Sequence, residues 1–185
     1  LVGNEAGADQ SPSVAFDFDG QRYLVVWSVE TGVVTADLPG QFVSPTGALI
    51  GSDFVIDTSI DRLVKPSVAH VREDGKFLVG YHRRYTPAPP GIADQRWLVR
   101  SIAGSGTVSS RVTVPFDATT TGTPSEIVVG GDARVGPSGL FQPRGLVVVR
   151  RGTASGNNVA VALADVAGTN PVLSPFVDMV SQIDR

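Results

Sequence analysis

The sequence predicts an all-β chain of three consecutive four-stranded antiparallel units, and three observations carry that reading. A short motif recurs: Ser11-Pro12-Ser13-Val14-Ala15 returns as Lys65-Pro66-Ser67-Val68-Ala69 and, more weakly, as Thr123-Pro124-Ser125-Glu126-Ile127, with prolines 54 and then 58 residues apart. Each copy leads into further short runs rich in Val, Leu, Phe, Tyr and Trp, the residues that suit a pleated, half-buried surface. No stretch combines a helical period with capping residues.

The elements follow in order. In each unit the motif forms the first strand. The second strands are Tyr23-Leu24-Val25-Val26-Trp27, Phe77-Leu78-Val79-Gly80-Tyr81 and Gly145-Leu146-Val147-Val148-Val149. Asp19-Gly20 and Asp74-Gly75 are hairpin signals between the first two strands of units one and two. The third and fourth strands are expected at Gly40 to Ser44 and Asp53 to Thr58, at Trp97 to Ala103 and Arg111 to Phe116, and at Asn158 to Val166 and Val172 to Val180. Pro45-Thr46-Gly47, Gly104-Ser105-Gly106 and Gly168-Thr169-Asn170-Pro171 join them. The units therefore run about 11–60, 65–118 and 123–182, within a single segment, 1–185.

Composition narrows the class. Twenty-one glycines and 13 prolines among 185 residues exceed the roughly 12% of ordinary usage, as a turn-rich β chain requires. The net charge of −3 and pI near 5.3 lack the broad positive field of a nucleic-acid binder. No apolar run approaches the ~18 residues of a membrane span. The chain opens with no charged-then-apolar leader, so a signal peptide is expected to be absent or already removed. The absence of cysteine excludes disulfides, thiolate metal sites and cysteine nucleophiles.

A four-stranded unit of this length is the size of one β-propeller blade, and blades bury both faces, which fits second strands that are continuously apolar. Twelve short strands in a sandwich are the alternative, but sandwiches rarely repeat in sequence. Pro12-Ser13-Val14-Ala15-Phe16-Asp17, Tyr23-Leu24-Val25-Val26-Trp27 and Gly40-Gln41-Phe42-Val43-Ser44-Pro45-Thr46-Gly47 resemble a repeat of large secreted or cell-surface bacterial β-propeller proteins. Unit one matches over residues 12–58, unit two keeps the first strand but has Tyr81 for the tryptophan, and unit three keeps only the strand pattern. The resemblance implies the fold and an extracellular setting; it implies no activity. Propellers close with ~4–8 blades, so three blades are expected to form half or part of a ring of about six. A second copy, or a second chain, would complete it. Leu1 to Gln10 reads as the end of a preceding blade and its connection.

Binding sites on such scaffolds lie on the face with the long loops, here Val29 to Pro39, Arg83 to Arg96 and Arg150 to Asn157. The prolines of His82-Arg83-Arg84-Tyr85-Thr86-Pro87-Ala88-Pro89-Pro90-Gly91 stiffen the second loop. Arg83, Arg84 and Tyr85, with Arg150 and Arg151 after the matching strand of unit three, form the candidate ligand site. Guanidinium forks fit carboxylate, sulfate or phosphate oxygens, so an anionic ligand such as a uronate-bearing polysaccharide is expected, with a carbohydrate or another protein chain as the ligand class. The competing reading pairs these arginines with Glu30, Asp37, Asp61 or Asp94. A non-catalytic binding or assembly module is therefore the first expectation. The alternative is a polysaccharide lyase or glycoside hydrolase using His82 and Tyr85 for proton transfer. His70 is expected in the interior and His82, at a strand end, to be the more exposed of the only two histidines. Asp17-Phe18-Asp19-Gly20 has a calcium-like look but lacks the further acidic positions of such a loop, and a turn explains it. Trp27 and Trp97 read as core anchors. No cofactor or metal site is expected.

Overall fold

The computed structural model describes residues 8–32, 35–84, 95–115, 126–132, 144–153 and 156–179. Among them there is no helix, and the chain is all-β with antiparallel sheets. Strands β1 (Ala8–Asp17), β2 (Arg22–Glu30), β3 (Ala36–Val43) and β4 (Leu49–Asp57) form one antiparallel meander. β5 (Arg62–Val71), β6 (Lys76–Arg84), β7 (Gln95–Ala103) and the short β8 (Val112–Thr113) form the second. β9 (Glu126–Gly130), β10 (Gly145–Thr153) and β11 (Gly156–Asp165) begin the third, and two short pieces, β12 (Val172–Leu173) and β13 (Val177–Met179), pair with β11 as its fourth strand. Pro175 lies between these two pieces and has no N–H to give a ladder, which explains why the single strand expected at Val172 to Val180 is broken. One parallel pair, Ala36 at the start of β3 opposite Arg62 at the start of β5, joins the first two meanders.

Two apolar clusters separate the three units. Leu24, Val26, Leu38, Phe42 and Ile56 of unit one pack with Leu63, Phe77, Val79, Tyr81, Leu98 and Ile102 of unit two. The opposite face of unit two, through Val71, Leu78, Trp97 and Val99, packs with Ile127, Val129, Val147, Val149, Ala160 and Ala164 of unit three. The middle unit is thus covered on both faces, and every residue of β6 from Phe77 to His82 is buried. That is the physical cause of its unbroken apolar run. Gly80 has no side chain because Val129 and Ile127 would stand 2.9 and 3.1 Å from a Cβ there.

The repeated x-Pro-Ser motif proves to be a β-bulge. The β1–β2 register shifts between Gln10 and Ser13, and the β5–β6 register between Val64 and Ser67. Ser11 and Lys65, each before the proline, have φ of 51° and 53°, the left-handed conformation that re-aims a strand. The serine that follows links one unit to the next. Ser13 Oγ accepts the Val68 amide at 3.1 Å, and Ser67 Oγ accepts the Val129 amide at 3.1 Å. This register corrects the third copy of the motif. Val128, not Ser125, stands where Ser13 and Ser67 stand, since Val128 pairs with Val148 as Ser67 pairs with Gly80. Thr123 to Ser125 lie outside the described residues.

Hairpins form at both expected Asp-Gly positions. Asp17 pairs with Arg22 and Val71 with Lys76, so each loop has four residues. Gln21 and Gly75, at φ of 46° and 58°, hold the left-handed positions. Asp17 Oδ1 accepts the amides of Asp19 and Gly20 at 3.2 and 2.8 Å, and Arg22 Nε reaches Oδ2 at 3.2 Å. The carboxylate at the calcium-like sequence is therefore held by a turn and an arginine.

Candidate functional site

The ends of β2 and β6 and the starts of β5 and β7 gather a rim of charged side chains. Across the ladder Arg62 stands opposite Arg84, and Arg83 opposite Arg96. Like charges directly opposite each other are destabilising unless something neutralises them. Two acids do part of this. Asp61 holds Arg83 at 2.8 Å, as the competing sequence reading allowed, and Glu30 holds Arg62. Arg84 is exposed and Arg96 half-buried, and among the described residues neither makes an ion pair. Opposed residues share a face, so Arg84 lies on the Arg62 side of the sheet and Arg96 on the Arg83 side. Arg62 and Arg96 were missed in the sequence because each is a single arginine in an unremarkable strand; only the register brings them to the Arg83-Arg84 pair.

The other expected site residues are placed as follows. Tyr85 lies outside the described residues, as does Asp94. Arg150 is exposed and opposite Glu126 in the β9–β10 ladder. Arg151 is opposite Asn158 on β10. The long loop expected from Arg150 to Asn157 is not one, because β10 continues to Thr153 and β11 starts at Gly156. The first loop is likewise shortened by strands reaching Glu30 and starting at Ala36. Both arginines of unit three are therefore strand residues.

The exposure expected for His82 is reversed. It is 2% exposed, on β6 between Tyr81 and Arg83, with Val64 and Trp97 opposite it. His70 lies on β5 against Phe77, with its Nε2 3.4 Å from Asp17 Oδ1. Burial lowers the His70 pKa, against the opposing pull of Asp17 and Asp19. Trp27 and Trp97 are both buried, as expected of anchors.

A second polar constellation, not foreseen, ties unit one to unit two. The buried Asp57, at the end of β4, accepts the Tyr81 hydroxyl and both a 2.9 Å bond from Arg111 Nε and a second bond from the same guanidinium. Arg100 adds a 3.2 Å bond to Asp57 Oδ1 and a 3.2 Å bond to the Tyr81 oxygen. Burial by itself would raise the Asp57 pKa, but the bonds from Arg111 and Tyr81 and the two guanidinium charges outweigh it and hold the carboxyl below its ordinary value. The Tyr81 pKa is pushed up by burial and by Asp57, so it remains a donor. An acid whose ionised form is favoured and a phenol whose protonated form is favoured suit a structural tie, not a proton relay. No spacing rule could have joined residues 57, 81, 100 and 111, because they meet across a sheet interface.

No protein-family model matches the chain, and no curated protein matches it. Among solved structures it is similar to an N-acetylgalactosamine deacetylase from F. plautii, determined in complex with blood group B trisaccharide. The TM-score is 0.54 at 12% identity, over 90% of this chain and 54% of that one. The chain thus spans about half the length of that protein. At this identity the likeness is one of fold.

Proposed function

We propose that the chain is a segment of a β-propeller from a secreted or cell-surface protein, each meander being one blade, and that its arginine rim binds an anionic polysaccharide without catalysing a reaction. The radial reading is supported by the two apolar clusters, which place unit two between its neighbours, and by the equivalent Ser13 and Ser67 links.

The observation that carries the binding function is the opposed arginines, Arg62 with Arg84 and Arg83 with Arg96, of which, among the described residues, Glu30 and Asp61 pair with Arg62 and Arg83. Arg84 and Arg96 lie on opposite faces of the sheet end. A small anion reaches one of them; an extended polyanion lying across the strand ends reaches both. Uronate carboxylates or sulfates match the guanidinium fork. His82, the base that a lyase reading needs, is buried.

Calorimetry with polygalacturonate and heparin, against a neutral glucan, tests the reading. Binding of an acidic glycan is expected, weakened on the order of 10-fold by Arg84→Ala and again by Arg96→Ala, since each charge-assisted bond is worth ~1.5–3 kcal/mol. Equal binding of the neutral glucan, or no effect of either substitution, would sink it. Appearance of new reducing or unsaturated ends, abolished in His82→Ala, would make the protein an enzyme instead.

A further inference from the structure

The two outer faces of the chain carry the residues that form its internal interfaces one unit further along. Val14, Val68 and Val129 are equivalent, since they pair with Val25, Val79 and Val147, and since Val68 and Val129 are the two amides that bond to the preceding serine. Val68 and Val129 are 7% and 6% exposed because the preceding unit covers them; Val14 is 58% exposed. On the opposite face Leu24, Leu78 and Leu146 are equivalent by the same register. The first two are fully buried by the following unit, and Leu146 is 39% exposed. Each bare face is thus one half of an interface that the chain already makes twice.

Trp27 points the same way. Its equivalent in unit two is Tyr81, whose hydroxyl donates to Asp57 of the preceding unit. The Trp27 Nε1 is buried and, among the described residues, has no hydrogen-bond partner. Trp27 lines a cavity of about 230 Å³ with Asp9, Gln10, Pro12 and Val25. A buried indole N–H without an acceptor is costly, and the repeat places the missing acceptor in a preceding unit.

We propose that a second copy of this chain covers these faces head to tail, with unit three of each copy packed on unit one of the other. The two faces differ, so the contact is heterologous, and it closes when each copy uses both faces. Two copies supply six units, within the ~4–8 at which propellers close. This inference rests on the units being propeller blades and is independent of the rim's ligand.

Sedimentation velocity of the wild-type chain from about 1 to 100 µM is the test, with Val14→Glu and Leu146→Glu as variants. Both residues are exposed in the single chain, so each variant should keep the far-UV spectrum of the wild type. The wild type is expected as a dimer, with each variant's dissociation constant raised more than about 100-fold by a buried unpaired carboxylate. An equimolar mixture of the two variants should regain dimer, because it restores one wild-type junction. A monomeric wild type at 100 µM overturns the proposal, even if a different chain covers the faces. A dimer untouched by Leu146→Glu means back-to-back pairing and overturns it too, as does a mixture that stays monomeric. Calorimetry of the same samples with acidic glycan reads the rim separately.

Discussion

Removal of the Asp57 carboxylate probes the tie between units one and two most directly. Asp57→Ala takes the acceptor from the Tyr81 hydroxyl and the counter-charge from Arg100 and Arg111 in a largely buried place, leaving only the Tyr81 oxygen and the carbonyls of Ser109 and Thr58 to accept from the guanidiniums. Breaking a buried pair by deleting one partner typically costs ~3–5 kcal/mol, mostly as the penalty of the stranded charge. Here Arg111 is 29% exposed and Arg100 17%, so water can reach the guanidiniums and the lower end, about 3 kcal/mol, is expected. With a urea slope of ~2 kcal/mol per molar, that is a fall of roughly 1.5 M in the unfolding midpoint. Tyr81→Phe removes one donor and leaves the ion pairs, so its cost should be about half as large. The pH dependence gives a second readout. The Asp57 pKa is lower in the folded chain than in the unfolded one. Its stabilisation is therefore complete above the unfolded value near 3.9 and is lost as pH falls through the folded value. The difference between wild type and Asp57→Ala should be constant from about pH 7 to 5 and shrink below ~4. An effect under about 1 kcal/mol, or a gap that does not narrow in acid, would refute the tie as the dominant link.

Two further outcomes follow from the same interfaces. Ser67→Ala strands the Val129 amide and should lower stability by about 1 kcal/mol in urea unfolding, while Ser110→Ala, an exposed site, should change it by less than ~0.5 kcal/mol. His70 has its pKa lowered by burial, so the unfolded chain takes up its proton first; stability should fall as pH drops below ~6.5, and His70→Gln should flatten that part of the profile.

The strand plan was legible because the cues are local. Apolar runs such as Phe77 to Tyr81, and turn residues such as Gly47 and Gly106 (φ of 85° and 87°), act within a few positions of themselves. The x-Pro-Ser repeat was visible as a pattern, but its meaning was not. A bulge with a serine reaching the next unit depends on a partner more than 50 residues away. The same limit explains the site. Arg83 and Arg84 were conspicuous as neighbours, whereas Arg62 and Arg96 become part of the rim only through β5–β6 and β6–β7 register. The burial of His82 is not legible in the sequence, because its strand-end position suggests exposure while β6 is covered on both faces up to that residue.

That double coverage has a consequence for unfolding. A stack of repeats can melt piecemeal when each interface stands alone. Here unit two belongs to both apolar clusters, and adjacent residues of one strand, Phe77 and Leu78, serve different clusters. Loss of either interface exposes half of β6 and leaves the other half without a rigid backing, so the two should fail together. Trp97 sits in the cluster shared with unit three, and Trp27 in unit one, so the two tryptophans report from opposite sides of the stack. In a Trp97→Phe variant all tryptophan emission comes from unit one, and in Trp27→Phe all of it comes from the other side. Each variant will have its own midpoint. Within each, the fluorescence melt should coincide with the far-UV melt to within about 2 °C, the mark of one cooperative transition. A fluorescence midpoint more than ~5 °C from the far-UV midpoint in either variant would show that the interfaces melt independently and that the middle unit does not couple them.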